Sequence, residues 1–333
     1  MSEMVNLCLN LSINILGKKT VNIKKINAST LIGKGTLTDL FDEVNLKKLN
    51  LLICNSSLTP NQQRNLENFL KVKVVDRSGI IIEIFAKRAL SNEGKLQVQL
   101  AEMVYRKSRL VRAWTHLERQ RGGTSFVGGP GELQIELDRR LIQEKIDKIK
   151  KRLKNVSNRR KIQRKSRYKN NFKIFALVGY TNAGKTQLFN ILTKKNQKSE
   201  DKLFATLDTK ISRVYLNDKL TIGLIDTVGF INNIPTQLIE SFKATFEEIH
   251  NADFIINVVD INEKNFKEKI ENTIITLNDM SLDTNKVDNM ITVYNKIDIQ
   301  NKKPGIKNNR NYVSALMGTG ITELKNILIS KTI

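Results

Sequence analysis

The sequence has few residues that crosslink a chain or bind transition metals. Its 333 residues include two cysteines and two histidines, which exclude a disulfide framework and argue against a zinc site. No run of 18 apolar residues occurs, so a membrane-spanning helix is excluded on length. The N-terminus also lacks the basic segment that precedes a signal-peptide core. We therefore expect a cytoplasmic protein.

Acidic residues are scarce relative to basic ones. The chain has 33 Asp and Glu against 56 Lys and Arg, a formal net charge of +23, which favours nucleic acid or an anionic membrane surface as partner. Abundant Asn, Lys and Ile are also typical of AT-rich coding sequences, so the location of the charge is more informative than its sum. The length predicts about two domains.

The first 94 residues predict a small N-terminal α/β domain. Apolar and polar residues alternate from Leu7 to Ile15, a period of two that predicts a half-buried strand. Leu49–Cys54 and Val72–Val75 predict buried strands. The segment Pro60–Leu70 predicts a helix between them, with Thr59 as its N-cap.

Residues 95–170 predict an antiparallel helical hairpin whose glycine-rich tip is the segment 121–131. Each arm contains a stripe of residues at spacings of three and four, and both stripes are apolar except for Lys107. Two amphipathic helices packed on a core are the alternative. The first stripe is Leu96, Leu100, Met103, Lys107, Leu110, Trp114 and Leu117, and the second is Ile142, Ile146, Ile149, Leu153 and Val156.

The second arm carries a dense run of positive charge. Between Lys145 and Lys169 basic residues dominate, and Asp147 is the acidic exception. A charge run is most often a solvated helix face. Repulsion between like charges destabilises such a helix unless a polyanion neutralises it. The run therefore predicts contact with nucleic acid.

Residues 171–333 predict a P-loop GTPase domain, because an apolar strand, Phe172–Val178, leads into a phosphate-binding motif. Backbone N–H groups of the loop and the dipole of the following helix would bind phosphates. Lys185 would reach the outer phosphates, and the Thr186 hydroxyl would bind Mg²⁺. The motif is Gly179-Tyr180-Thr181-Asn182-Ala183-Gly184-Lys185-Thr186.

A second motif follows the predicted strand Leu220–Ile225 and reads Asp226-Thr227-Val228-Gly229. Asp226 would hold Mg²⁺ through its water shell, and the Gly229 N–H would approach the γ-phosphate. Many GTPases next place a Gln that orients the attacking water, but this chain has Phe230. Phenylalanine cannot hydrogen-bond water. We therefore expect slow intrinsic hydrolysis that an RNA-rich partner stimulates.

The segment between these two motifs is the predicted first switch. One threonine there should complete the Mg²⁺ shell when the γ-phosphate is present, and we expect this residue to be Thr206. Lys185, Thr206 and Gly229 form the predicted catalytic set. The switch residues expected to contact nucleotide are Phe204, Ala205, Thr206, Leu207 and Asp208.

A guanine-specific loop is predicted after the strand Ile291–Tyr294, which follows another buried strand, Ile255–Val259. The Asp298 carboxylate would accept two hydrogen bonds from guanine, a pair that adenine cannot offer. Asn295 and Lys296 would brace the loop and cover the base. The full motif is Asn295-Lys296-Ile297-Asp298, and the backbone of Ser314-Ala315-Leu316 would contact the guanine oxygen.

These motifs resemble those of the HflX ribosome-associated GTPases, and the resemblance extends from about residue 28 to 325. It includes Gly179–Lys185, Phe204–Asp208 and Asp226–Ile231 in the GTPase region. Outside that region it includes Asn61–Leu66, Val75–Arg77, Glu93–Val98, Arg109–Val111, Trp114–Glu118 and Gly129–Glu132.

The resemblance implies a GTP- and Mg²⁺-dependent protein that binds the RNA of the large ribosomal subunit. In the family the hairpin loop reaches toward the peptidyl-transferase centre, and the protein separates stalled ribosomes into subunits. Many members have an extra C-terminal domain, which we expect to be absent because the chain ends soon after Ser314. We also expect a monomer.

Two other functions are compatible with the motifs. A tRNA-modification GTPase would carry a catalytic cysteine near its end, whereas no cysteine follows Cys54. A ribosome-assembly or RNA-binding switch would bind nucleotide with little turnover, which Phe230 permits.

Overall fold

The computed structural model describes residues 2–110, 130–168, 172–195, 204, 210–231, 241–307 and 310–332. The chain forms two compact units, one from residues 1–87 and 96–152 and the other from residues 88–95 and 153–333. Both contain helices and parallel strands, so the predicted α/β class is confirmed.

The first unit is built around a two-stranded parallel sheet with Leu51 opposite Lys73. A buried cluster that includes Leu66 and Val74 packs the helices against it. The elements up to residue 168 are α1 (Ser2–Asn10), α2 (Lys34–Leu46), β1 (Leu51–Cys54), α3 (Pro60–Leu70), β2 (Lys73–Asp76), α4 (Arg77–Arg88), α5 (Asn92–Arg109) and α6 (Pro130–Tyr168). The last residue of α4, residues 92–95 of α5 and residues 153–168 of α6 belong to the second unit.

Helix α3 begins as predicted, at a capping box. The Thr59 hydroxyl accepts a hydrogen bond from the Gln62 N–H at 3.2 Å, and the Gln62 side chain accepts one from the Thr59 N–H at 3.0 Å. This reciprocal pair satisfies backbone donors that a helix end otherwise leaves without partners. The predicted N-cap is therefore confirmed.

The prediction of a strand near the N-terminus was wrong, because residues 2–10 form helix α1. Met4, Leu7 and Cys8 are buried, whereas Leu9 is 58% exposed. Spacings of three and four place the buried residues on one helical face. The alternation from Leu7 onward also fits a period of two, and so few residues do not distinguish the two periods.

Helices α5 and α6 confirm the described parts of the two predicted arms, while residues 111–129, which hold Trp114, Leu117 and most of the tip, lie outside the described residues. Lys107, the polar member of the first stripe, donates to the Gln143 side chain on α6. This contact explains a charged residue in an otherwise apolar stripe. The tip was predicted to end at residue 131, but α6 begins at Pro130, where proline suits the first turn of a helix.

A buried carboxylate ties α5 to the strands of the first unit. Asp76 is fully buried, and its two oxygens accept four hydrogen bonds. Two come from the backbone of Leu58 and Gly79, at 3.2 and 2.9 Å. The other two come from the Tyr105 hydroxyl at 2.9 Å and the Arg109 guanidinium at 2.5 Å. A buried charge is tolerated only with such partners.

We expect Asp76→Asn to destabilise this unit by roughly 3 kcal/mol, because an amide would aim a donor at groups that are themselves donors. Hydrogen exchange in peptides that cover residues 51–110 should become about 100-fold faster. The matched control is Glu102→Gln, which removes the exposed ion pair with Arg106 and should change exchange little. Equal exchange rates in both variants would contradict the structural role of Asp76.

The second unit contains a seven-stranded sheet with the strand order β4-β5-β3-β6-β7-β9-β8. Its elements are β3 (Ile174–Val178), α7 (Lys185–Thr193), β4 (Lys210–Tyr215), β5 (Thr221–Asp226), α8 (Lys243–His250), β6 (Phe254–Asp260), α9 (Phe266–Asp279), α10 (Thr284–Asp288), β7 (Ile291–Asn295), a 3-10 helix (Ile297–Gln300), β8 (Gly305–Lys307), β9 (Arg310–Tyr312) and α11 (Ile321–Thr332).

The five inner strands of this sheet are parallel, and the two edge strands, β4 and β8, are antiparallel to their neighbours. The predicted strands β3, β5, β6 and β7 are confirmed. The edge strands were not predicted, since charged residues interrupt both of them. Because carboxyl ends of parallel strands share one edge, the loops after β3, β5, β6, β7 and β9 converge there.

In the described part of the chain, no helix is both long and apolar enough to cross a membrane.

Candidate nucleotide-binding site

The loop between β3 and α7 has the backbone of a phosphate-binding cradle. Gly184, the residue before α7, has a φ of +90°, and a Cβ there would lie 2.2 Å from the Asn295 amide nitrogen. Only glycine fits a left-handed position with so close a neighbour. The phosphate loop therefore leads directly into the N-terminus of α7, and a helix N-terminus at this place is typical of an anion site.

Lys185 is buried and is held by the loop itself. Its side chain is 6% exposed, and its ammonium donates to the carbonyls of Gly179 at 3.0 Å and Tyr180 at 2.7 Å. Burial lowers the pKa of Lys185 to about 8, and the nearby Asp226 carboxylate opposes this effect. The loop thus holds an ammonium in a poorly hydrated position, where its attraction for an anion is strong.

Thr186 and Asp226 lie together between α7 and the end of β5. The Thr186 hydroxyl donates to an Asp226 carboxylate oxygen at 2.9 Å, and Asp226 is fully buried. A hydroxyl and a carboxylate are the hard oxygen ligands that Mg²⁺ prefers. The pair therefore fits a Mg²⁺ site on chemical grounds.

The segment after Asp226 lies against the phosphate loop. Phe230 donates its N–H to the Gly179 carbonyl at 2.9 Å, and its carbonyl accepts from the Thr181 N–H at 2.8 Å. A Cβ on Gly229 would lie 2.7 Å from the Thr181 Cα, so this approach requires glycine. Thr227 and Val228 are buried, and the Phe230 side chain is 2% exposed.

The predicted first switch falls mostly outside the described residues. Thr206, Ala205, Leu207 and Asp208 are among the residues for which no structure is described, whereas Phe204 is buried and has a φ of 57°. The structure therefore leaves the role of Thr206 a prediction.

Asn295 joins the phosphate loop to the loop after β9. Its amide nitrogen donates to the Ala183 carbonyl at 2.9 Å, and its amide oxygen accepts from the Ala315 N–H at 2.9 Å. The sequence predicted that Asn295 braces the loop, and these two hydrogen bonds are consistent with that prediction. The predicted contact of the Ser314–Leu316 backbone with the guanine oxygen stays a prediction, and in this structure the Ala315 N–H donates to Asn295.

Asp298 and Ser314 link the loop after β7 to the loop after β9. The Ser314 hydroxyl donates to one Asp298 carboxylate oxygen, which orients the carboxylate at the start of the 3-10 helix. Ser314 is fully buried and Ile297 is 2% exposed, whereas Leu316 is 67% exposed. Leu316 thus lies at the surface, in the turn that follows Ser314.

Two residues that the motifs did not identify, Asp260 and Asn262, contact the predicted guanine loop. An Asp260 carboxylate oxygen pairs with the Lys296 ammonium at 2.8 Å, and the Asn262 amide donates to the Lys296 carbonyl at 2.9 Å. The sequence did contain a signal for Asp260. This residue directly follows the apolar run 255–259, just as Asp226 directly follows the run 220–225. Both aspartates terminate parallel strands at the same sheet edge.

Three family models match consecutive parts of the chain. Residues 1–86 match "GTP-binding GTPase N-terminal", and residues 88–167 match "GTP-binding GTPase Middle Region". Residues 174–296 match "50S ribosome-binding GTPase".

The fold and the loops at its carboxyl edge define a P-loop GTPase, an enzyme that hydrolyses GTP. A GTPase HflX of Magnetococcus marinus is 46% identical over 90% of this chain and 68% of its own length. One of Caldanaerobacter subterraneus subsp. tengcongensis is 41% identical over 97% of this chain and 75% of its own. The chain belongs to the HflX family of GTPases.

Among solved structures, a GTP-binding protein of Sulfolobus solfataricus in complex with GDP covers 99% of this chain and 94% of its own, with 22% identity and a TM-score of 0.49.

Proposed function

We propose that this GTPase binds the large ribosomal subunit and couples GTP hydrolysis to ribosome recycling or subunit separation. It would comprise an N-terminal domain (1–94), a helical hairpin (95–170) and a GTPase domain (171–333). The family model matched by residues 174–296 supports a ribosomal partner. A protein that acts on ribosomes would work in the cytoplasm.

The phosphate loop and Lys185 are the proposed binding site for the triphosphate. The loop backbone would surround the phosphates, and the Lys185 ammonium would neutralise the outer ones. The Gly229 N–H would donate to the γ-phosphate. Lys185 already lies at the loop through its bonds to the Gly179 and Tyr180 carbonyls, so little reorganisation is needed on binding.

Thr186, Thr206 and Asp226 are the proposed Mg²⁺ ligands, with Asp226 acting through bound water. When bound, Mg²⁺ would neutralise charge on the β- and γ-phosphate oxygens. The hydrogen bond between Thr186 and Asp226 supports the assignment of this pair, because it keeps the hydroxyl oxygen and the carboxylate oxygen next to each other.

Asp298 is the proposed base-selecting residue. Its carboxylate would accept hydrogen bonds from the guanine ring N–H and the exocyclic amine, while the Lys296 stem would cover the base. The hydroxyl of Ser314 holds this carboxylate in one orientation, and such preorganisation favours selectivity.

Slow intrinsic hydrolysis is proposed because of the residue after Gly229. The Phe230 side chain is buried and apolar, so it offers no hydrogen bond to an attacking water. Without such a group, we expect a rate on the order of 10⁻⁴ to 10⁻³ s⁻¹ for the protein alone. The ribosome would then supply or order the missing polar group.

The exposed basic face of α6 is the proposed contact with ribosomal RNA. Its charges are solvent-facing, and the segment between residues 145 and 159 contains Asp147 as its acidic residue. Such a face would attract the phosphates of an RNA backbone by electrostatics, without regard to base sequence. The exposed basic residues are Lys145, Lys148, Lys150, Lys151, Arg152, Lys154 and Arg159.

A single observation carries the guanine-nucleotide part of this proposal. Asn295 bonds both Ala183 of the phosphate loop and Ala315 of the loop beside Asp298. The loops for phosphate and base are therefore one hydrogen-bonded arrangement at the same sheet edge, where nucleotides bind in open parallel sheets.

We expect large ribosomal subunits to raise GTP turnover on the order of 10³-fold, and the stimulation to fade as salt is raised. Single-turnover GTP hydrolysis, with and without subunits at low and physiological salt, measures this directly. Turnover that is as fast without subunits as with them would refute the proposed partner.

The basic face is tested with two matched pairs of exposed lysines. Lys150→Gln with Lys151→Gln should weaken subunit binding and reduce its salt slope by about one for each RNA phosphate that is no longer neutralised. Lys302→Gln with Lys303→Gln, on the GTPase unit, removes the same charge and should leave both unchanged. If the two pairs behave alike, net charge rather than α6 drives binding.

A further inference from the structure

We infer that Asp260 and Asn262 are positioning residues for the guanine loop, because together they hold both ends of Lys296. The inference rests on the proposed nucleotide site and adds two residues that no recognised GTPase motif in the sequence includes. Asp260 is the last residue of β6, where it pairs with Asn295 of β7, and Asn262 lies in the turn that follows.

The side-chain end of Lys296 is held by Asp260. The ammonium and one carboxylate oxygen are 2.8 Å apart, and the side chains are 25% and 11% exposed. This pair is largely withdrawn from water, so solvent screens it less than a surface pair. It restrains a flexible stem that would otherwise sample many rotamers.

The backbone end of Lys296 is held by Asn262. Its amide donates to the Lys296 carbonyl at 2.9 Å. The other Asp260 oxygen accepts from the Asn262 backbone N–H at 2.9 Å and from its side-chain amide at 3.0 Å. Asp260 therefore orients the Asn262 amide that binds the Lys296 carbonyl. The effects of the two residues on Lys296 are thus coupled.

The same turn also contacts the residue before Lys296. The Ile261 N–H donates to the Asn295 carbonyl at 3.2 Å. Lys296 itself has a φ of 65°, a left-handed conformation that costs an ordinary residue on the order of 1 kcal/mol. The left-handed bend at Lys296 directs the chain from β7 into the 3-10 helix that carries Asp298. The contacts of Asp260 and Asn262 with Lys296 therefore stabilise the conformation that presents the Asp298 carboxylate.

The geometry assigns these residues an effect on nucleotide affinity and none on the chemical step. The base is common to GTP and GDP, so losing the restraint should weaken both equally. Selection against other bases stays with Asp298. An interaction that is the same in ground and transition states changes KM and leaves kcat unchanged.

The test is Asp260→Asn in the full-length protein. The amide retains an acceptor for Asn262 but removes the charge that pairs with Lys296. We expect the Kd for GDP and for GTP to rise equally, by roughly ten-fold, with kcat at saturating GTP unchanged. Asp279→Asn, an exposed residue at the end of α9, removes the same charge and should leave Kd unchanged.

A second variant and a double-mutant cycle distinguish positioning from general destabilisation. Asn262→Ala should raise both Kd values by about three-fold, since it removes the hydrogen bonds of the side-chain amide to the Lys296 carbonyl and to Asp260. In a Lys296→Ala background, Asp260→Asn should have no further effect, because it acts through that lysine. An additive effect in that background, or unchanged Kd in both single variants, would overturn the inference.

This outcome is distinguishable from failure of the proposed site. If Asp260→Asn leaves Kd unchanged while Lys296→Ala raises it, the guanine loop stands and the role of Asp260 is refuted. If Lys296→Ala and Asp298→Asn both leave guanine-nucleotide binding unchanged, the proposed site itself is wrong.

Discussion

Replacing Asp298 by Asn should lower the affinity for GTP and GDP on the order of 10³-fold and improve that for xanthine nucleotides. The carboxylate would accept two guanine donors, whereas an amide would aim its own N–H₂ group at one of them. Xanthine has a carbonyl where guanine has its exocyclic amine, so it would accept from that amide. A site built around paired hydrogen bonds loses this much when one is left unpaired.

Competition binding with GDP and xanthosine diphosphate measures the change in preference. Asp218→Asn is the matched control, because Asp218 is exposed in the turn between β4 and β5 and lies outside the loops at the carboxyl edge of the sheet. It should bind both nucleotides as the unmodified chain does. Tight guanine selectivity retained by Asp298→Asn would refute the assignment of that carboxylate.

Replacing Lys185 by Ala should abolish measurable nucleotide binding, a loss on the order of 10³-fold or more. The substitution removes the buried positive charge that would face the phosphates. It also leaves the Gly179 and Tyr180 carbonyls without the ammonium that binds them. Both effects weaken the same loop, so we expect a larger loss than at any exposed lysine.

Titration of fluorescent GDP measures this loss. Lys195→Ala is the control, since this exposed lysine lies just beyond the other end of α7 and donates to the Ser212 hydroxyl at 3.0 Å. It should leave binding unchanged. Circular dichroism on both variants verifies that the fold is kept. Unimpaired binding by a folded Lys185→Ala protein would remove the phosphate-loop assignment.

The sequence predicted the strands and motif loops of the second unit more completely than it predicted the N-terminal unit. A phosphate loop has glycines and a lysine at set spacings because the backbone must wrap an anion, so residues 179–186 are recognisable without any structure. The start of α3 was also predictable, since a capping box depends on residues three apart. Helix α1 was not, because a short apolar alternation fits two periods.

Contacts between distant segments account for what the sequence did not reveal. The ion pair between Lys296 and Asp260 joins residues that are 36 positions apart in the sequence. The hydrogen bond from Asn295 to Ala183 joins residues that are 112 positions apart. Neither spacing is encoded by a local pattern. Asp260 therefore looked like an ordinary strand end until the parallel register of β6 and β7 placed it beside the guanine loop.

By itself the sequence determined the class of this protein, since glycine, lysine, threonine and aspartate at set spacings identify a phosphate cradle and a guanine loop. It also located the densest run of basic residues, between Lys145 and Lys169. The tertiary structure alone decided which residues contact these loops, because strand order brings separate loops to one edge of the sheet. Local patterns specify chemistry, whereas the supporting contacts depend on distances across the fold.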